Sequence, residues 1–451
     1  NYKNNDVKGV ILVRRTGIQM QELETLLTTV SSDSWHNSDM STVSAGRLFL
    51  PSSGFSDSPG VYVGNDVRSL LSRNPAIIDF SNVRNAVIFM GGVKPVAKAT
   101  GGNYFQIANG GSAVAHIIAD SNYLAGRRTH HIILSQDFAY RSPDRLTFDM
   151  NKEAINPFEV FGERETVDKD ANMNFEKIVT MLSILAKETD NVMKVDLESM
   201  LREWFINTAG GSGMYTDDPI NEPYKAWRIL ATDDHENYPK PIDFLTELTS
   251  YQARSSNVGE RATERASYLR KVIKTAFDSY SNVFGSATTL PDSYPASARN
   301  IYYDLSTVGD DKHLLGAMLI NTLAYVTNRA LSNEIIVIHG LDSAELPPEA
   351  LTSYRERIDR KGIGLITVYE KSENKIINPD TCRSFSGRLS KQDAVVLGGL
   401  TSEELNYIND SWQHPLPIQV SKQLLAGNEG ILYFYRRRDR VGALIDTRLT
   451  L

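Results

Sequence analysis

The sequence carries a single cysteine, Cys382, among 451 residues. One thiol excludes an internal disulfide framework and a zinc ribbon, which need several. It fits a reducing compartment. No run of about 18 apolar residues occurs, the length that a helix needs to cross a bilayer. The nearest candidate, 314–326, is interrupted by Asn321 and Thr322 and is expected to be a buried helix. Residues 1–7 are polar, so no signal peptide is expected. The chain opens on Asn1 rather than Met, as a piece of a longer protein would. Positive charge is not in excess: 48 Lys and Arg stand against 55 Asp and Glu, a net charge of −7. A uniformly basic coat for nucleic acid is therefore excluded, and only a local basic patch could serve that purpose. Internal repeats and low-complexity tracts are absent as well.

The remaining composition, 41% apolar and 23% charged, is that of a folded globular chain. At about 100–200 residues per domain, the length allows two to four domains. Residues 9–13 read as a strand, followed by a helix with Leu23, Leu26 and Leu27 on one side. Residues 31–60, rich in Ser, Asp, Pro and Gly, read as loop. Short apolar runs at 61–63, 76–78, 86–89 and 104–107 make the next portion strand-rich. A glycine turn at 109–112 leads into a helix at 113–124, with Val114, Ile117, Ile118 and Leu124 apolar and Gly126 at its end. A strand follows at 131–134. Strand, glycine turn, helix and strand in that order build a parallel sheet. From 164 to 290 the pattern is helical. After 295, strands (300–305, 334–338, 364–368, 392–397, 430–435) alternate with helices (314–331, 350–361).

The expectation is an α/β protein with a parallel sheet. Residues 1–102 form an N-terminal strand-rich portion, 103–163 and 291–451 the core, and 164–290 an inserted helical domain.

A phosphate-binding loop needs glycines, so that backbone N–H groups wrap the phosphates. It also needs a Lys for the β and γ phosphates and a hydroxyl for Mg²⁺. The loop at 108–115 has the right context. With Ala108 in place of the first glycine, Val114 takes the Lys position and Ala115 the hydroxyl position. A second loop, with Gly91, Gly92, Lys94 and Pro95, has a Lys but Pro95, Gly101 and Gly102 oppose a following helix. The partner motif is a buried strand ending in Asp-Glu, for metal and water. The strand at 335–338 instead runs into His339 and Gly340, with Asp342 and Glu345 just beyond.

In this order the elements resemble the motor ATPases of type IV secretion and conjugation, the HerA/FtsK branch of RecA-like proteins. Gln136 and Asp137 follow the strand where the family has an Asp-containing stretch. Ile155, Asn156, Pro157 and Phe158 match its INPF element. The helical insertion precedes the second catalytic strand. Arg360, Lys361, Gly362 and Ile363 match its R-K-x-G-I segment, while Tyr369 and Glu370 stand where a Gln is usual.

The resemblance implies a RecA-like P-loop NTPase core. Gly110, Gly111, Ser112, Ala113, Val114 and Ala115 would be a vestigial nucleotide loop, and His339, Gly340 and Asp342 a remnant of the acidic strand end. Arg383 and Arg388 are candidates for an arginine acting in trans. The departures fall on catalytic positions, so ATP and Mg²⁺ are not expected to bind productively. The family likeness implies a cytoplasmic subunit, peripheral at the inner membrane. It would form a homo- or hetero-oligomer with other secretion-machine subunits or active motors, meet the membrane only through partners, and act in assembly or substrate handling.

The alternative is an active motor with a displaced site built from Lys94 or Lys98 with Asp342 and Glu345. Arg436, Arg437, Arg438 and Arg440 beside Tyr433, Phe434 and Tyr435 form the densest basic cluster, open to a solvated strand end or to nucleic acid or anionic lipid. His130 and His131, adjacent on a strand, face opposite sides and do not make a metal site.

Overall fold

The computed structural model describes residues 55–67, 74–90, 110–135, 145–162, 166–187, 190–206, 238–370, 387–412, 415–427 and 430–447, with isolated positions between them. All belong to one compact unit, Ser53–Leu451. The expected strand at 9–13, the helix after it and the strand at 104–107 lie outside the described residues.

Eleven strands among the described residues make one sheet. They are β1 (Val61–Asp66), β2 (Pro75–Ile78), β3 (Ala86–Met90), β4 (Thr129–Ile133), β5 (Arg145–Asp149), β6 (Asn300–Asp304), β7 (Ile335–His339), β8 (Gly364–Glu370), β9 (Ala394–Gly398), β10 (Ile431–Arg436) and β11 (Val441–Asp446). Their order is β2-β1-β11-β10-β9-β3-β8-β7-β4-β6-β5. From β9 to β5 every pairing is parallel. From β9 to β2 every pairing is antiparallel.

The central strands β3, β7 and β8 are buried along their whole length. That is why they read as continuous apolar runs rather than as alternations: helices cover both faces of a parallel sheet. Period-two geometry still sorts their side chains. Ile88, Val337, Ile366 and Val368 join one core with Val114, Ala115 and Ile118 of helix α1 (Gly110–Leu124). Val87, Phe89, Ile336, Ile338 and Leu365 join the other core with Leu319 and Leu323 of helix α7 (Lys312–Arg329).

Strands β1 to β3, expected within a 1–102 portion, run in the same sheet as the rest, with β3 between β8 and β9. Periodicity identifies a strand but not its neighbours, and β3 pairs with β8 and β9, as Ala86 does with Ile366 and Ala394. Strand β5 carries no expectation from the sequence because it is a half-exposed edge strand with two charged ends.

The helical stretch contains α2 (Val167–Ala186), α3 (Asn191–Ile206), α4 (Pro241–Ser255), α5 (Glu260–Ser279) and the short α6 (Ser281–Phe284). Helix α2 packs on α7, and α4 on α5. At its centre Phe158 meets Trp204 edge-on at 5.5 Å and Phe244 at 5.0 Å. The segment from Ile155 to Phe158 ties this region to the core. Asn156 Nδ2 donates to Pro239 O at 3.0 Å, and the Asn156 N–H donates to Thr288 Oγ1 at 3.0 Å. Ile155 O accepts from Asn321 Nδ2 of α7 at 2.8 Å. The polar residue that interrupts the apolar run at 314–326 thus satisfies a buried carbonyl. Helices α8 (Pro348–Arg360), α9 (Ser402–Ser411) and α10 (Ile418–Leu425) complete the described chain.

Candidate functional site

Four elements meet at the C-terminal edge of the parallel strands, the customary place for ligands in open α/β sheets. Strand β3 ends at Met90, and α1 begins at Gly110 after an intervening segment outside the described residues. Strand β7 ends in His339, and β8, between β3 and β7, ends in Glu370. The first turn of α1 lies hard against β8: a Cβ on Gly111 would stand 2.8 Å from Val368 Cγ1 and 3.1 Å from Met90 Cγ. Only glycine permits that approach.

Ser112 is the residue of this turn whose side chain reaches the strand ends. Its Oγ donates to Glu370 Oε1 at 2.5 Å and lies 3.0 Å from His339 Nδ1. Beyond it, His339 Nε2 and His131 Nδ1 are 3.0 Å apart, and His131 Nε2 is 3.1 Å from Thr129 Oγ1. Thr129 Oγ1 is in turn 2.5 Å from Asn300 Oδ1. His116, one turn further along α1, points its Nδ1 at Ser112 O, 2.7 Å away, with Tyr302 OH 3.3 Å from its Nε2. A carbonyl only accepts, so the proton sits on His116 Nδ1, and Nε2 accepts from Tyr302.

The imidazoles are stacked. Ring centroids are 5.1 Å apart for His116 and His131, and 5.3 Å for His131 and His339. Phe138 closes against His339 edge-on at 4.7 Å. All three histidines are buried. Burial, followed by the neighbouring histidines, pushes His131 well below the ordinary 6.5, and burial followed by His116 does the same to His339. The cluster is a buried, aromatic-walled interior that disfavours charge on His131 and His339. Among the described residues, no group of three or more His, Cys, Asp or Glu is arranged to hold a metal.

The expected site residues divide accordingly. Gly110 opens α1, and Ala113, Val114 and Ala115 follow Ser112 within it. Val114 and Ala115 turn into the apolar core against β3, β7 and β8, away from the strand-end groups. His339 meets Ser112, as described. Gly340 adopts φ +72°, and a Cβ there would lie 2.9 Å from Ser135 Cβ. Asp342 turns back, and its Oδ1 accepts the Glu370 N–H at 2.7 Å. Glu345 is exposed, and its N–H donates to Lys312 O. Arg388 is exposed at the edge of a short turn, Leu389–Lys391. Lys94, Lys98, Gln136, Asp137, Cys382 and Arg383 lie outside the described residues.

His130 and His131 do face opposite ways. His130 Nε2 is 2.9 Å from Glu334 Oε2, on the far side of the sheet from His339. The basic cluster at 436–440 is largely neutralised at its first member: Arg436 pairs with Asp57 and Asp439. Burial of His116, His131, Tyr302 and Glu370 in one assembly has no sequence signal, because they come from four separate segments.

The fit to a nucleotide and Mg²⁺ can be tested on these residues. A phosphate site needs a cation at the helix turn and a carboxylate at the end of β7. Among the described residues, that turn offers Ser112 already bonded to Glu370, and β7 ends in His339, on which burial disfavours a positive charge. Asp342 is engaged with the Glu370 backbone. These residues do not fit the group.

No family model matches the sequence, and no curated protein matches it. Solved structures do. VirB4 of Thermoanaerobacter pseudethanolicus superposes with a TM-score of 0.64 at 16% identity, covering 87% of this chain and 97% of that one. The bacterial conjugative coupling protein TrwB, in a form lacking its N-terminus, gives a TM-score of 0.47 at 10% identity, covering 82% of this chain and 85% of that one. The strand order, the helix after β3 and the superposition on VirB4 agree on one architecture: the chain has an α/β, RecA-like P-loop NTPase fold with an inserted all-helical region, the fold that the resemblance to type IV secretion motors implies.

Proposed function

We propose that this chain is a catalytically silent, ATPase-like subunit of a type IV secretion or conjugation apparatus, acting in assembly or substrate handling. The observation that carries the reading is the bonding of Ser112 to Glu370 and His339. Where a working motor holds phosphate, metal and attacking water, these side chains satisfy one another. His339 replaces a carboxylate that would orient a metal. Val114 and Ala115 are committed to the apolar core.

The fold supports the subunit part of the reading by its likeness to VirB4. Other secretion-machine subunits or active motors are the proposed partners, in a homo- or hetero-oligomer. No described helix is long and apolar enough to cross a membrane. A place at the cytoplasmic side of the inner membrane, held through partners, is part of the proposal.

Calorimetry with ATP and Mg²⁺, alongside a phosphate-release assay on the assembled protein, tests it. The expected result is no turnover above background. Turnover that is lost on replacing Lys94 or Lys98 would overturn the proposal and establish a displaced catalytic site.

A further inference from the structure

Helices α2 and α8 leave a cleft between them, lined by Glu176, Lys177 and Thr180 of α2, by Tyr354 and Arg357 of α8, and by Ala324 of α7. On each helix these residues stand three or four apart or side by side, so each helix presents them on one face. Two of them are buried cations: Lys177 is 2% exposed and Arg357 6%. Buried charges are ordinarily paired and hydrogen-bonded. Here the pairing is incomplete. Lys177 Nζ donates to a neutral carbonyl, Glu159 O, at 2.8 Å. Arg357 Nη2 reaches Asn328 Oδ1 only at 3.4 Å, and the carboxylate beside it, Asp170 Oδ1, stands 3.9 Å away, beyond hydrogen-bond distance. Tyr354 is 6% exposed, and its hydroxyl makes no hydrogen bond among the described residues.

We propose that this cleft binds a small carboxylate, held by the Arg357 guanidinium with the Lys177 ammonium and the Tyr354 hydroxyl as further donors. An ionised carboxylate only accepts, and it has lone pairs for all three groups. The planar guanidinium offers parallel N–H groups that match its two oxygens. Burial drives the Lys177 amine down to about 7, with Glu159 pulling the other way and Arg357 adding to the fall. A carboxylate in the cleft supplies the missing negative charge and keeps the ammonium protonated. Burial pushes the Tyr354 phenol up, Arg357 opposing and Glu176 assisting, so it remains a donor at neutral pH.

The acidic residues nearby leave room for one further negative charge and not for two. Asp170 Oδ2 accepts from Thr166 Oγ1 at 2.6 Å. Glu159 Oε1 is 3.0 Å from His235 Nδ1, and Glu159 Oε2 accepts from Thr288 Oγ1. Both carboxyl groups are thus engaged by other donors. Glu176 is exposed and lines the cleft, and its carboxyl is pushed up by burial and by Glu198. A ligand carrying a second negative charge meets repulsion from Glu176, so a monoanion is preferred to phosphate. The inference is independent of the proposed secretion role and of the strand-end cluster around Ser112, since none of the groups that line this cleft belongs to that cluster.

Calorimetric titration of the full chain with sodium acetate, at neutral pH in a buffer free of other carboxylates, tests the site. Acetate is expected to bind at one site, and inorganic phosphate more weakly. Arg357→Met and Lys177→Met are each expected to weaken acetate binding by about tenfold or more, the effect of losing a charge-assisted hydrogen bond. Tyr354→Phe removes a hydroxyl that bonds nothing among the described residues, so its unfolding temperature without acetate is expected to match the wild type while acetate binding weakens. Absence of acetate binding overturns the assignment. So does acetate affinity left unchanged by any of the three substitutions, or phosphate binding as tightly as acetate. Should the methionine variants not fold, Tyr354→Phe decides: weaker acetate binding supports the site and unchanged binding overturns it.

Discussion

Ser112 Oγ donates to Glu370 Oε1 at 2.5 Å, a bond between residues 258 positions apart that joins the first turn of α1 to the end of β8. Both side chains are buried, and Ser112 has no exposed surface. Ser112→Ala removes the donor to Glu370 Oε1 and the partner of His339 Nδ1. Leaving a buried polar group unsatisfied costs about 1–3 kcal/mol. The unfolding midpoint in urea is expected to fall accordingly, and an unchanged midpoint would mean that the bond contributes nothing.

Gly340 follows His339 in a left-handed conformation and abuts Ser135. Gly340→Ala adds a Cβ where both the backbone angle and the space oppose it. A non-glycine residue held at such an angle costs on the order of 1–3 kcal/mol. Thermal unfolding should show the loss. Because Gly340 positions His339, the imidazole signals of His339 and His131 should move in the same variant.

Trp204 is the largest fully buried side chain among the described residues, packed against Phe158, Phe205 and Phe244. Trp204→Ala opens a cavity in the helical region, and such changes cost about 3–5 kcal/mol. Denaturant unfolding followed by circular dichroism is the check. A loss below about 1 kcal/mol would show that the region repacks freely.

Lys177 is buried in α2, with Nζ donating to Glu159 O at 2.8 Å and lying over the Phe161 ring. Burial drives its amine down from 10.5 to about 7, against the pull of Glu159 and with the help of Arg357. Above pH 7 the unfolded chain still binds a proton that the folded chain has released. Stability from this group therefore rises with pH between about 7 and 10.5. Lys177→Met removes the titration. Across pH 7–10, wild type is expected to gain stability relative to the variant, and parallel curves would disprove the depressed amine.

The strand and helix alternation after residue 295 was legible because buried parallel strands such as 335–338 and 364–368 are unbroken apolar runs. The helical insertion was legible from its charged, periodic stretches. Strand β5 was not, since an edge strand with Arg145 and Asp149 at its ends has neither pattern. At the site, the sequence singled out His339 but not the buried assembly that it joins.

By itself, then, the sequence determined the α/β class, the apolar strands of the parallel sheet and the buried helix around Asn321. These are local properties: periodicity and residue identity. Tertiary structure alone decided that β3 lies between β8 and β9 and that Ser112 is the helix residue facing the strand ends. It alone brought His116, His131, His339, Tyr302 and Glu370 into one buried assembly. Strand neighbours in a parallel sheet are set by the collective burial of both faces, and no stretch of sequence carries that information alone.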